Sequence, residues 1–187
     1  MKRKTIFQTL DNKENPDEIE SQGPFLCTRK PWLGNGYYFW DTFVELAHWW
    51  GRQGYNGNYV ICQSQIDYNP EDVFDLVGDT EQISEFRNYA KILKECYKGK
   101  FLTVGFVIEH MKQKMKNFTY SVIRANPIDS VKHDPELKAL RLPFVSHNSA
   151  FLDMIPPIQL CIINKRYIGE NNFKIIYPME YCKESVV

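Results

Sequence analysis

Four histidines and five cysteines are the side chains of this chain best suited to nucleophilic or metal chemistry, and their spacing argues against both. His48, His110, His133 and His147 form no HxxxH or HExxH pattern, and Cys27, Cys62, Cys96, Cys161 and Cys182 are widely separated with no CxxC pair. Neither a metal site nor a dithiol redox couple is therefore expected, and the thiols are expected to be reduced and mostly buried. Ser146-His147-Asn148-Ser149 is polar enough for a loop at the border of a pocket, but it lacks the glycine frame of a nucleophile elbow. The stretch WLGNGYYFW, residues 32 to 40, offers a different chemistry. Gly34 and Gly36 allow a tight turn and a close approach of backbone to a ligand, and the aromatics that follow supply flat contact area. That combination suits stacking against a planar aromatic group. Strand alternation puts Tyr38 on one side of the run and Tyr37 and Phe39 on the other.

These residues need elements to hold them. TIFQTL at 5 to 10 has the β-branched and aromatic character of a strand, and a helix start is expected near Pro16. DTFVELAHWWG reads as an amphipathic helix, with Thr42 and Glu45 in capping-box register and Gly51 as its stop. On that helix the periodicity assigns Trp50 to the core and leaves Trp49 for a pocket. NYVICQSQID is a strand. Two longer helices follow, one from Asp79 toward Gly99 and one carrying Val104, Val107, Ile108, Met111 and Met115, whose lysines at 112, 114 and 116 are expected to face solvent. FTYSVIRA is a strand, residues 126 to 149 form an irregular connection with about one helical turn, and IQLCII and FKIIY close the chain as strands. Helices and strands are segregated and do not alternate regularly, so the expected class is α+β.

The chain has 187 residues, with 23 basic and 23 acidic side chains and 43% hydrophobic residues. One folded domain over 1–187 is expected, with no global positive field to draw nucleic acid or an anionic membrane. No segment approaches the roughly 20 apolar residues of a membrane span, and no signal peptide is evident, so a cytoplasmic protein without a membrane partner is expected. The absence of a glycine-rich phosphate fingerprint removes the main support for kinase-like or dehydrogenase-like activity.

The order of these motifs resembles the ADP-ribosyltransferase superfamily, which includes the poly-ADP-ribose polymerases and the diphtheria-toxin-like transferases. In that family a first strand carries a histidine in a YHGT-like run, and a small helix and a GF turn follow. Next come LGxGxYF, a helix with an alanine and an aromatic, and a late strand opening on a glutamate. Here IFQTL puts Gln8 at the histidine position, EIESQGPFL supplies helix and turn, LGNGYYF is the strongest match, LAHWW carries the second aromatic, and PPIQLCI puts Gln159 at the glutamate position.

The resemblance implies a fold of two small packed antiparallel sheets flanked by helices, and NAD as substrate. It implies cofactor contacts from Gln8, Thr9, Gly36, Tyr38 and Trp49, and catalytic positions at Gln159 and Tyr38. Gln8 retains both donors and an acceptor for a ribose or carboxamide. Gln159 is neutral where the family places a charge beside the developing positive sugar, so Asp153 is the nearby carboxylate expected to substitute if activity is kept. Arg124 and Arg141 are candidate pyrophosphate contacts. The implied activity is transfer of ADP-ribose to an unknown macromolecule, protein or nucleic acid, by a toxin or defence effector with a neutralising partner such as an antitoxin. The alternatives are a non-catalytic module with a degenerate site, and an unrelated α+β protein whose aromatic strand is core.

Overall fold

A computed structural model of the chain describes residues 1–29, 31–127, 134–138, 140–146, 150–169 and 172–183. The serine-histidine loop is thus outside the described residues at 147–149, as is His133. In chain order the elements are β1 (Lys2–Asp11), α1 (Pro16–Gln22), β2 (Tyr37–Asp41), α2 (Val44–Gly54), β3 (Tyr59–Tyr68), β4 (Val73–Asp75), α3 (Thr80–Cys96) and α4 (Val104–Lys114). They continue with β5 (Val122–Ala125), α5 (Pro135–Lys138), β6 (Arg141–Pro143), β7 (Phe151–Asp153), β8 (Gln159–Ile162) and β9 (Lys174–Tyr177). The class is α+β with a mostly antiparallel sheet. Among the described residues no helix is long and apolar enough to cross a membrane.

β1 starts earlier than its apolar pattern predicts, because its charged first residues find partners. Arg3 lies across from Asp67 in the register with β3 and donates to it at 2.9 Å, and Lys4 donates to Asp41. β1 then pairs with β3 over all ten residues, from Lys2↔Tyr68 to Asp11↔Tyr59. The main sheet has the order β4-β5-β8-β2-β1-β3-β9, and β6 and β7 form a separate hairpin.

This corrects the expectation of two small packed sheets. One seven-stranded sheet is present, and its β4 and β5 run parallel. The reason is β2, which pairs with β8 over four residues and joins β1 through only two pairs, Ile6↔Asp41 and Phe7↔Trp40. The sheet is continuous through that short seam, and beyond Phe7 the two strands lose their ladder.

Alternation along the strands sends Ile6, Phe39 and Leu160 to one face, where they pack with Ile19 of α1 and with Phe173 and Ile175. Phe7 and Trp40 go to the other face, under α2 with Leu46, Ala47 and Trp49, while Ile123 and Cys161 meet α4 through Ile108 and Met111. Tyr37 and Phe39 lie on the side opposite Tyr38, as their spacing predicts.

α3 starts where the sequence places it, with the Asp79 carboxylate accepting from the backbone N–H groups of Glu81 and Gln82, but it ends at Cys96 with Tyr97 as its C-cap, short of Gly99. α2 departs from its expected ends. Thr42 spends its hydroxyl on Asp41 at 2.8 Å and sits at φ 70°, so no capping box forms. Gly51 does not stop the helix. It lies inside it because the Tyr59 ring packs where a Cβ would stand, and the helix runs on to Gly54.

Candidate functional site

Past the seam, β1 and β2 diverge and leave a cavity of about 410 Å³ that passes between them. β1 contributes Phe7 to Asp11, β2 contributes Tyr38 to Trp40, and β8 contributes Gln159. The wall opposite comes from α1 and from Phe25 to Arg29, and α2 and its C-terminal turn supply Trp50 and Tyr55.

Gln8 is buried, and its carboxamide replaces the missing rungs. Its Oε1 accepts from the Phe25 backbone N–H at 2.9 Å, and its Nε2 donates to the carbonyls of Phe25 at 2.8 Å and Tyr38 at 3.3 Å. The chain after Phe25 is tied to β2 as well, because the Cys27 N–H donates to the Gly36 carbonyl at 3.0 Å. Thr9 spends its side chain on the other face, where Oγ1 donates to the Ala47 carbonyl at 2.9 Å. Its backbone matters more. Thr5 accepts from the Thr42 N–H on the β2 side of β1, and a period of two turns the N–H and C=O of Thr9 to the same side, into the gap.

Tyr38 is fixed by its hydroxyl, which donates to the Gly34 carbonyl at 2.9 Å and accepts from the Leu33 N–H at 2.6 Å. Gly34 makes that turn at φ 91°. Burial, with smaller contributions from Cys161, holds the phenol well above its usual range, so it stays protonated and is no general base. Gly36 is required for packing, since a Cβ there would lie 2.5 Å from the Cys161 Sγ and 2.9 Å from the Ile162 carbonyl oxygen. Gln159 lies across from Trp40, and its Oε1 accepts from the Trp32 indole Nε1–H at 2.8 Å. Gln8, Thr9, Tyr38 and Gln159 therefore line one cavity, although they come from three strands distant in sequence.

Trp49 does not join them. It is buried beneath α2, edge-on to Trp40 with ring centroids 6.0 Å apart, while Trp50 lines the cavity. The expected assignment is reversed for a physical reason. The face of α2 that meets the sheet carries Leu46, Ala47 and Trp49, whereas Trp50 is 38% exposed and lines the cavity with its ring against Gly54.

Three further expectations are corrected. Arg124 is held in an internal network, donating to Asp41 at 3.1 Å and to both oxygens of Asp75 at 3.1 and 3.0 Å, beside a separate polar cavity of about 550 Å³. Arg141 pairs with Asp153 at 3.4 Å and lies over the Phe151 ring, so neither arginine reaches the gap between β1 and β2. Asp153 is consequently engaged on the outer hairpin and does not replace a carboxylate at Gln159.

Among the described residues, the cations that line the cavity are Lys13 and Arg29. The Arg29 guanidinium lies 5.1 Å from the centre of the Tyr55 ring and donates to the Gly54 carbonyl at 3.3 Å. Asp11 and Glu18 are its carboxylates. Cys27 also reaches it, with a thiol that burial pushes above its ordinary range, and this disfavours the thiolate that nucleophilic chemistry needs. Sequence spacing gives no signal for Arg29 or Tyr55, because both belong to turns brought to the cavity by tertiary packing. Among the described residues no group of three His, Cys, Asp or Glu side chains is placed to hold a metal ion. No protein-family model, curated protein or solved structure matches the chain.

Proposed function

We propose that the gap between β1 and β2 binds NAD with its nicotinamide end innermost, and that the chain is an ADP-ribosyltransferase-like domain acting on a macromolecular acceptor. The observation that carries this is the convergence of Gln8, Thr9, Tyr38 and Gln159 on one cavity at an unpaired stretch of strand edge. A primary carboxamide presents a donor and an acceptor side by side, as a neighbouring strand would, and the Thr9 backbone offers the complementary pair. Trp50 and Tyr55 supply aromatic surface for a planar group. The Arg29 and Lys13 cations suit the pyrophosphate.

In NAD the bond from nicotinamide to ribose breaks with positive charge developing on the sugar, and a transferase aims the acceptor at that carbon. The chain's own contribution at this point is Gln159. Its oxygen is engaged by Trp32, which leaves the amide N–H groups for a ligand and supplies no negative charge. That feature favours a second reading, in which the cavity binds NAD without turnover.

Calorimetric titration with NAD and with nicotinamide tests the binding. Micromolar to millimolar association is expected for the wild type, and Trp50→Ala is expected to weaken it about tenfold or more, the equivalent of ~1.4 kcal/mol of lost contact. Gly54 packs on the Trp50 ring, so circular dichroism of the variant accompanies the titration. Incubation with labelled NAD and a cell lysate then separates the two readings: transfer supports the enzyme, and binding without transfer or hydrolysis supports the module. Absence of NAD binding by the folded wild type would remove both.

A further inference from the structure

α3 and α4 form a helical hairpin, and its closed end has a surface of unusual composition. Between residues 91 and 106 there are four lysines, Lys91, Lys94, Lys98 and Lys100, against one carboxylate, Glu95, in a chain whose charges cancel overall. All four lysines are exposed. Lys91 and Lys94 share one edge of the last turns of α3, and Lys98 and Lys100 lie in the turn that follows. Glu95 reaches Lys98 only at 3.7 Å with both groups in solvent, so it neutralises little of this field.

Aromatic rings are interleaved with the cations. Phe101 is 92% exposed, and Phe106 is also exposed and meets Tyr97 edge-on at 5.5 Å. The Lys100 Nζ lies 5.5 Å from the centre of the Tyr97 ring. A phenylalanine left almost wholly in water gains nothing for the fold, whereas rings set among lysines form a surface on which bases stack while phosphates are neutralised.

We propose that this end of the α3–α4 hairpin is a docking surface for single-stranded nucleic acid. The lysines meet the phosphates, and Phe101 and Phe106 stack on bases. Charge complementarity selects a polyanion, and the aromatic character of the most exposed position selects one with planar groups over an anionic lipid surface. The hairpin does not line the cavity but packs on the segment that holds one of its residues. Gly105 packs so closely on the segment before β2 that a Cβ there would lie 3.0 Å from the Trp32 carbonyl oxygen, and the Trp32 indole holds Gln159. The docking proposal does not depend on what the cavity binds.

Fluorescence anisotropy of the full chain with a fluorescein-labelled oligothymidine tests it, with a duplex of the same length and vesicles of mixed phosphatidylserine and phosphatidylcholine as comparisons. Saturable binding to the single strand is expected, tighter than to the duplex. It should weaken roughly 50-fold between 50 and 200 mM salt if four phosphates are contacted. The triple variant Lys91→Glu, Lys94→Glu, Lys98→Glu should lose at least about tenfold in affinity, and Phe101→Ala about fivefold or more, with circular dichroism unchanged because these side chains are exposed. No binding at low salt, unchanged affinity in either variant, equal binding to the duplex, or binding to vesicles alone would each overturn the proposal.

Discussion

Replacing Asp41 with alanine is expected to lower the unfolding free energy by about 3–5 kcal/mol, the cost of breaking a buried ion pair from one side. The Asp41 side chain is 3% exposed at the end of β2, next to the seam that joins the two halves of the sheet. Its oxygens accept from Lys4 Nζ at 2.8 and 2.6 Å, from Arg124 Nε at 3.1 Å and from the Thr42 hydroxyl at 2.8 Å. Lys4 is on β1, and Arg124 on β5 also holds Asp75 on β4. One carboxylate thus ties β1 to the far edge of the sheet where the backbone ladder provides only two residue pairs. Its removal leaves two partly buried cations facing each other with one acceptor fewer. Burial alone would raise the Asp41 pKa, but the bonds from Lys4, Thr42 and Arg124 outweigh it and hold the group below the ordinary carboxylate range. A depressed folded value means that the unfolded chain takes up the proton first. The contribution is therefore complete above the unfolded value of ~3.9 and is lost as pH falls through the folded one. Urea unfolding from pH 7 to pH 3 should show the wild type losing its advantage over Asp41→Asn at the acid end. Parallel loss in both proteins would exclude this network as the origin.

The seam also marks how much of the molecule is legible in the sequence. Elements set by local rules are readable: the start of α3 at Asp79, β3 from its run of β-formers, and the division of Tyr38 from Tyr37 and Phe39 from strand alternation. What depends on where a ladder ends is not. Nothing in the residues of β1 and β2 states that pairing stops after Phe7, and the role of Gln8 follows from that stop, while Trp49 and Trp50 exchange roles because α2 presents Leu46, Ala47 and Trp49 to the sheet. Arg124 shows the same limit: a guanidinium fork fits phosphate and carboxylate alike, and only the register that puts Arg124 beside Asp75 decides between them. Thr42 and Glu45 have the spacing of a capping box, yet the Asp41 carboxylate competes for the Thr42 hydroxyl and wins. The chain's motifs therefore locate the strands that build the cavity, and long-range pairing decides which side chains face it.

Gln8→Leu is expected to destabilise the protein by about 2–4 kcal/mol, although the two side chains are similar in size. Leucine keeps the packing near β1 but leaves the half-buried Phe25 N–H and C=O without the carboxamide that satisfies both, where a fully buried unsatisfied group costs ~1–3 kcal/mol. Gln8→Glu separates the contributions. A carboxylate still accepts from the Phe25 N–H but cannot donate to the Phe25 or Tyr38 carbonyls, and it adds the cost of burying charge, so it should be at least as damaging at neutral pH. The loss has a specific location. Released from Gln8, the segment from Phe25 to Arg29 keeps a tie to β2 through the Cys27 N–H and the Gly36 carbonyl, and that segment is the wall of the cavity opposite Tyr38 and Trp40. Hydrogen exchange at the Phe25 and Cys27 amides should accelerate in Gln8→Leu by more than at β3, where β1 keeps its whole ladder. Affinity for NAD, if the proposed ligand is correct, should fall in the same variant even at temperatures where it remains folded. Equal exchange at Phe25 in the two proteins would mean that the carboxamide bridge does not hold the wall, and that the gap between β1 and β2 is kept open by the packing of α1 and α2 alone.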